Sequence, residues 1–274
     1  MTARRSAELM SEIAGELPPH EAQRLLMAVT GRSRSEVLQG ALVDPTGCER
    51  FERLVARRVA GEPLQYLEGS VEFGPVELAI DSRALVPRPE TEQLWELAVN
   101  LMECPRVIVD MCCGSGNLAL ALKYSFPDAA VHGCDASADA LNLARENGAR
   151  TDLDVAWWLG DLFGALPPSL RGTIGLLVAN PPYVTVAEYQ TLPADVRDHE
   201  PREALVAGPL GTEVIVAIGS EAASWLAPGG VVVCEIGEQQ GDLARAAFRE
   251  AQPEVRRDLA GRDRFVVGRR GPTR

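Results

Sequence analysis

The sequence predicts an α/β fold: a doubly wound, mostly parallel sheet preceded by a small helical domain and a β-hairpin connector. Three observations carry this expectation. From Val86 onward, apolar strand-like runs near 106–110, 129–134, 154–158, 174–179 and 230–236 alternate with helix-like stretches at about 90–102, 116–125, 137–148, 212–226 and 238–250. That is the rhythm of parallel strands joined by crossover helices. Next, Arg106-Val-Ile-Val-Asp110 passes through the small-residue run Met111-Cys-Cys-Gly-Ser-Gly116 into Asn117-Leu-Ala-Leu-Ala-Leu-Lys123, which reads as strand, tight turn and helix. Lastly, helical spacing without intervening strands is confined to about the first 65 residues.

Taken in order, Glu21 to Val29 places Ala22, Leu25, Leu26 and Val29 at helical spacing after Pro18-Pro19. Ser33 with Glu36 has the form of a capping box, and Phe51, Leu54, Val55 and Val59 make a further stripe stopped by Gly61 and Pro63. These stripes define an N-terminal domain over 1–65, read either as plain packing or as a substrate-docking module. Ser70–Phe73 and Val76–Ile80, with Gly74-Pro75 between them, read as a hairpin, giving a connector over 66–85 and a main domain over 86–274. Arg88-Pro-Glu-Thr-Glu92 has the marks of a helix start, with Pro89 in the first turn and acids facing the dipole. No internal repeat or low-complexity tract is evident.

Composition sets bounds. A chain of 274 residues with 46% hydrophobic residues can bury a sizeable core and exceeds one typical domain. No apolar run reaches bilayer length, and the basic start Met1-Thr-Ala-Arg-Arg-Ser lacks a following apolar stretch, so a cytoplasmic protein that does not enter membranes is expected. A net charge of −12 works against direct nucleic-acid binding, which needs a basic face. The six cysteines (48, 104, 112, 113, 134 and 234) form no Cys-x-x-Cys pair and the three histidines are scattered, so neither disulfides nor a metal site is expected. Cys112 and Cys113 have a second reading as reactive thiols, should the helix start lower their pKa.

Chemistry gathers at strand ends. The apolar run Ile174–Ala179 stops at Asn180-Pro181-Pro182-Tyr183, placing an amide and an aromatic ring at the edge where open parallel sheets bind ligands. Taken alone, the tetrapeptide is also an Asx-Pro turn ending a strand. Its chemical use would be to hold a planar NH2 group: the Asn180 oxygen and the Pro181 carbonyl each accept one N–H while Tyr183 stacks on the plane. The small residues of the 112–116 loop let a nucleoside approach the backbone, and Asp135, about 25 residues beyond Asp110, suits ribose hydroxyls. NAD is the rival cofactor, but the loop has Gly114 and Gly116 and then Ala119 in place of a third glycine, and no hydride-transfer partner is evident. S-adenosyl-L-methionine fits both halves.

Over nearly the whole chain these motifs resemble the HemK/PrmC family of protein-(glutamine-N5) methyltransferases. Beyond the two loops, the likeness rests on Gln65–Gly69, Glu72-Phe-Gly74, Val86-Pro-Arg-Pro-Glu-Thr-Glu92, His199-Glu-Pro201 with Ala204-Leu205, Leu226–Gly230, Glu235-Ile-Gly-Glu-Gln-Gln240, and Asp258 with Gly261–Arg264. The resemblance implies a class I, Rossmann-like methyltransferase that methylates the glutamine of the Gly-Gly-Gln loop in peptide chain release factors. It implies that Asp110, Cys112, Cys113, Gly114, Ser115 and Gly116 line the cofactor, that Asp135 holds its ribose, and that Asp161-Leu162 lies near the adenine. Asn180 through Tyr183 would hold the glutamine, with Asn180 also beside the cofactor and Arg88 and Glu90 shaping the substrate pocket. Two departures stand out: Cys112 occupies a position that is usually Gly, and Leu162 one that is often aromatic. Other acceptors stay open, namely a ribosomal-protein glutamine, a small-molecule amide or amine, or DNA adenine N6, as does a cofactor-binding regulator without turnover. Asp110 as a general base is unproved, Glu235 is read as capping the next helix without a catalytic part, and a monomer is expected.

Overall fold

The computed structural model describes residues 2–272. Met1, Thr273 and Arg274, at the outer ends of the expected domains, lie outside the described residues. The chain starts with a helical region: strand β1 (Arg4–Arg5), helices α1 (Ser6–Glu12), α2 (Pro19–Thr30) and α3 (Arg34–Leu38), strand β2 (Leu42–Val43), then α4 (Pro45–Val59) and α5 (Leu64–Glu68). The ends follow local chemistry. Ser33 and Glu36 form the reciprocal capping box, Asp44 accepts the Gly47 N–H at 2.6 Å, and Gly31 closes α2 in the left-handed region at φ 64°. The expected stripes meet in one core of Leu25, Leu26, Phe51, Leu54 and Val55, whereas Val59 points outward at 55% exposure. Val59 is the last residue of its helix and, although one turn past Val55 on the same face, lies beyond the end of this core.

Strands β3 (Ser70–Phe73) and β4 (Val76–Ala79) form the hairpin, with Phe73 opposite Val76. Phe73 and Leu78 enter the main core, and Asn147 clamps Ala79 from both sides, accepting its N–H at 2.7 Å and donating to its carbonyl at 3.0 Å. The hairpin is therefore fastened to the sheet's helical cover.

The remaining elements are α6 (Pro89–Leu101), β5 (Val107–Met111), α7 (Asn117–Ser125), β6 (Ala130–Asp135), α8 (Ala138–Thr151), β7 (Ala156–Leu159), β8 (Ile174–Ala179), β9 (Val184–Thr185), α9 (Val186–Tyr189), α10 (Ala194–Arg197), β10 (Val206–Gly208), α11 (Glu213–Trp225), β11 (Leu226–Glu235), α12 (Gly241–Ala247), β12 (Glu254–Arg257) and β13 (Asp263–Arg269). The central sheet has seven strands in the order β12-β13-β11-β8-β5-β6-β7. Its pairings are parallel except those of β13 with β11 and with β12. Side chains alternate as the pleat demands: Ile108, Leu176, Val178 and Val231 face α6 and α7, while Val109, Leu177, Val232 and Cys234 face α11 and α12.

Several features depart from the sequence expectation: helix α5 runs to Glu68, across the boundary placed at 65/66, and the short elements β9, α9, α10 and β10 fill the stretch between β8 and α11. The final helix stops at Ala247 and passes into a short 3-10 turn, and the antiparallel pair β12–β13 was not anticipated. Strand β12 reads Glu-Val-Arg-Arg, the charged composition of an edge strand, and so offers no apolar run to find. What matters for function is the reversal of strand order at β5, with β6 on one side and β8 on the other. Met111 lies opposite Ala179 there, so the two loops picked out in the sequence leave the sheet side by side.

Candidate active site

Beside this reversal lies a cavity of about 600 Å³ whose walls include Asp110, Cys112, Cys113, Gly114 and Ser115 from the first loop. Asp135, Asp161, Leu162, Asn180 and Pro182 line it as well. The first loop is shaped by backbone geometry. Cys112, Gly114 and Gly116 all take left-handed φ values (61°, 53° and 83°), which curl the chain so that α7 starts directly behind it. Gly116 faces away from the cavity: a Cβ there would sit 2.7 Å from the Trp157 ring. At Gly114 a Cβ would meet nothing within 4 Å, leaving open space beside the loop.

Two carboxylates fix the loop. Asp135 accepts the Gly114 N–H (2.8 Å) and the Ser137 N–H (2.9 Å), and Asp110 Oδ2 accepts the Ala119 N–H (3.0 Å) in the first turn of α7. The helix start is thus capped by the protein's own acid. Burial raises the pKa of both acids: of Asp110 well above the ordinary carboxylate range, the nearby Asp135 adding to it, and of Asp135 despite its backbone donors. The same burial, with these acids close by, pushes the Cys112 and Cys113 thiols up. That overturns the reading of either as a thiolate activated by the helix start.

The residues present fit a nucleoside bearing an amino-acid tail. Asp110 Oδ1 and Ser115 Oγ are buried without a hydrogen-bond partner among the described residues, Asp110 at the cavity wall, and Asp135 stands at the end of the neighbouring strand. The sequence departure at Leu162 also takes a left-handed φ, 45°, like Cys112.

The second loop is held by side chains. The Asn180 Nδ2–H donates to Thr91 Oγ1 at 3.0 Å, and Thr91 Oγ1 donates to Glu235 Oε2 at 3.0 Å. From the other side, the Tyr183 hydroxyl donates to Glu235 Oε1 at 3.3 Å. Gln240 completes the hold by donating to the carbonyls of Tyr183 (3.2 Å) and Gly211 (2.9 Å) while accepting the Gly237 N–H. Because its nitrogen is engaged with Thr91, Asn180 keeps its oxygen free, and neither Asn180 Oδ1 nor the Pro181 carbonyl accepts from another group among the described residues. Pro181 itself is buried and Tyr183 half-buried, and neither lines the cavity.

Glu235 is 1% exposed; burial raises its pKa to about 7 against the pull of Thr91, Arg264 and Tyr183. It caps no helix: α12 starts at Gly241 after Gln240, so the capping role read from the sequence is corrected to a buried junction between the second loop and α6. The half-buried Tyr183, desolvated and set beside this acid, has its hydroxyl pKa pushed up to about 12.

Arg88 and Glu90 take other positions. Arg88 Nη2 donates to both carboxylate oxygens of the buried Glu200 (2.6 and 2.8 Å), and Glu90 pairs with Arg262 (3.1 Å) at the β12–β13 end. Neither lines the cavity. Thr91 and Gln240 carry no site signal in the sequence, although both stand inside the Val86–Glu92 and Glu235–Gln240 motifs. A buried hydroxyl in the first turn of an amphipathic helix carries no local signal of the strand end it meets.

Comparison with known proteins identifies the family and the fold. Residues 3–69 match the family model described as the PrmC N-terminal domain, and residues 94–196 match the methyltransferase small domain. A release factor glutamine methyltransferase of Deinococcus radiodurans is 43% identical over 260 residues, covering 92% of this chain and 91% of its own length. One from Mycolicibacterium smegmatis is 39% identical, covering 98% of this chain and 97% of its own. Among solved structures, a methyltransferase from Pyrococcus furiosus superposes with a TM-score of 0.53 at 17% identity, over 71% of this chain and 88% of that one. A T. thermophilus 16S rRNA N2 G1207 methyltransferase, in complex with AdoMet and guanosine, gives 0.54 at 18% identity, over 73% of this chain and 49% of that one. These two likenesses establish the Rossmann-like methyltransferase fold.

Proposed function

The chain belongs to the release factor glutamine methyltransferase family, and from that premise we propose that it methylates the side-chain N5 of the glutamine in the Gly-Gly-Gln motif of peptide chain release factors, using S-adenosyl-L-methionine. The observation that carries the residue assignments is the fixed Asn180 amide, its nitrogen engaged by Thr91 and its oxygen free beside the cavity.

S-adenosyl-L-methionine supplies a methyl group made electrophilic by its sulfonium. Asp135 stands where ribose hydroxyls would bind, the open face of Gly114 admits the ligand, and the unpartnered Asp110 Oδ1 meets its polar tail. Asp161 and Leu162 line the cavity and in this reading lie against the adenine. On the acceptor side, Asn180 Oδ1 and the Pro181 carbonyl each take one N–H of the glutamine amide, and Tyr183 packs on the amide plane. Pinning both hydrogens turns the nitrogen lone pair toward the methyl group and excludes unproductive orientations, so positioning supplies most of the acceleration. The N–H proton, strongly acidified as the N–C bond forms, leaves late to solvent. Asp110 is poorly suited to take it, because one oxygen is already bound by Ala119 and the group is deeply buried. Arg88 and Glu90 stay outside the cavity wall, engaged in ion pairs with Glu200 and Arg262, and in this reading make no direct contact with the glutamine.

In this reading residues 1–65 dock the protein substrate, 66–85 connect, and 86–274 carry out transfer, the enzyme working as a cytoplasmic monomer. The test is incubation of a purified release factor with this protein and isotope-labelled S-adenosylmethionine, followed by mass spectrometry of the Gly-Gly-Gln peptide. One added methyl on the glutamine, dependent on Asn180, is expected. Confirmed cofactor binding with no transfer to a folded release factor would move the activity to another acceptor.

A further inference from the structure

The hydrogen bonds behind Asn180 have a direction, and the direction matters to the amide. A side-chain amide can be turned over at little steric cost, exchanging its NH2 for its oxygen. Presented to a glutamine NH2, the oxygen accepts, but an NH2 in its place would set donor against donor. Something must select between the two orientations.

The relay Asn180 Nδ2 to Thr91 Oγ1 to Glu235 Oε2, with both links at 3.0 Å, performs that selection. An ionised carboxylate has no hydrogen to give, so the Thr91 hydroxyl must spend its one hydrogen on Glu235. The hydroxyl oxygen can then only accept, and the Asn180 group it accepts from must be the NH2. Tyr183 donates to the other carboxylate oxygen, so each Glu235 oxygen receives a hydroxyl hydrogen. If Glu235 carries a proton, its own O–H can donate to Thr91, the Thr91 hydrogen is released toward Asn180, and the overturned amide becomes equally comfortable.

We infer that Thr91 and Glu235 are positioning residues that fix which end of the Asn180 amide, oxygen or NH2, meets the substrate. The inference rests on the reading of Asn180 as the acceptor of the glutamine N–H. Its geometry spans three elements: the first turn of α6, the end of β8 and the end of β11. The groups acting on Glu235 are Thr91 from α6, Tyr183 from the loop after β8, Arg264 from β13, which favours the ionised form, and Glu90, which opposes it. Burial brings its titration into the physiological range, so the relay is expected to be sensitive to pH.

The experiment compares Thr91→Val, Thr91→Ser and Glu235→Gln with the unaltered enzyme on release factor. Single-turnover rate, KM, cofactor affinity and the pH profile are measured for each, together with 15N NMR of the Asn180 side-chain amide. Thr91→Val keeps shape but loses the hydroxyl. It should lower the methyl-transfer rate by about 10²-fold, the scale of a misplaced reacting group, with cofactor affinity unchanged and no remaining rate loss on acidification. Thr91→Ser should restore both the rate and the acidic limb. Glu235→Gln, which offers a donor and an acceptor at every pH, should be slow and lack that limb. One Asn180 amide proton should be protected from exchange in the native and Thr91→Ser proteins and exposed in Thr91→Val.

Equal impairment of Thr91→Val and Thr91→Ser, or a Thr91→Val enzyme with native rate and acidic limb, would overturn the inference. Should Thr91→Val not fold, an acidic limb retained in Glu235→Gln would do the same. An unaltered enzyme that leaves release factor unmethylated overturns the substrate reading instead; the amide-proton measurement needs no acceptor and still decides the relay.

Discussion

The two loops that meet at the reversal of strand order are held in opposite ways. The one after β5 is a backbone device: three left-handed residues and two carboxylates accepting N–H groups, with Asp110 bonded 9 residues ahead and Asp135 21 residues back. The one after β8 is a side-chain device, secured by bonds that span 89, 144 and 52 residues. A loop that must bring its backbone close to a ligand gains from small residues and local closure. A loop that must present one atom of one amide needs its rotamer and its orientation determined from behind, which only distant elements can do.

Asn180→Ala should break the comparison most severely. Removing the presented oxygen is expected to lower the single-turnover rate by about 10³-fold, as for loss of one preorganised polar group at a reacting centre, while cofactor affinity measured by calorimetry stays within a few-fold. Near-native turnover would show that the second loop is not the acceptor site.

The backbone device breaks differently. Gly116→Ala places a Cβ 2.7 Å from Trp157 at a φ of 83°, so strain and overpacking together should cost about 3 kcal/mol in urea unfolding, with cofactor affinity falling as the loop shifts. An unchanged denaturation midpoint would mean that Trp157 moves aside freely.

Glu235→Gln sharpens the contrast, since the side-chain device has a stability cost that depends on pH. In the folded protein Glu235 titrates at about 7 instead of its ordinary 4.5, so the folded state holds a proton that the unfolded chain has released between those values. Stability therefore falls as pH rises through this window, and above it the penalty reaches about 3 kcal/mol. The variant should unfold at higher urea than the native protein at pH 8, by up to that amount, and equally at pH 4. The same gain at both pH values would show that charge is not the cause.

The smallest effect belongs to Cys112→Gly. Glycine relieves a left-handed φ of 61° and also frees the unfolded chain, two opposing contributions of about 1 kcal/mol each. Stability should change by less than 1 kcal/mol, and cofactor affinity is the sensitive readout.

Much of this was legible in the sequence. Arg106–Asp110 with its glycine turn, and Ile174–Ala179 with its Asn-Pro-Pro-Tyr stop, announce strands and loops within a single window, because apolar period and proline chemistry act on neighbours. Asp135 was found for the same reason, as the acid at the next strand end. Of the β12–β13 pair, the edge strand Glu254–Arg257 carries no apolar face to read, whereas β13 does carry the buried run Phe265–Val267, and only its antiparallel pairing with β11 and β12 needed the fold. The helix-start reading of the cysteines failed because burial outweighs a helix terminus.

By itself the sequence determined the hairpin and the five parallel strands of the central sheet, the order of the two loops, and the atoms offered to a planar NH2 group. Tertiary structure alone decided that Thr91 and Glu235 stand behind Asn180, that Gln240 holds the Tyr183 carbonyl, and that Arg88 and Glu90 serve ion pairs away from the cavity. The physical reason is distance along the chain: periodicity records which side of an element is buried, whereas the partner of a buried hydroxyl or carboxylate is set by which elements the packed sheet brings to the same edge.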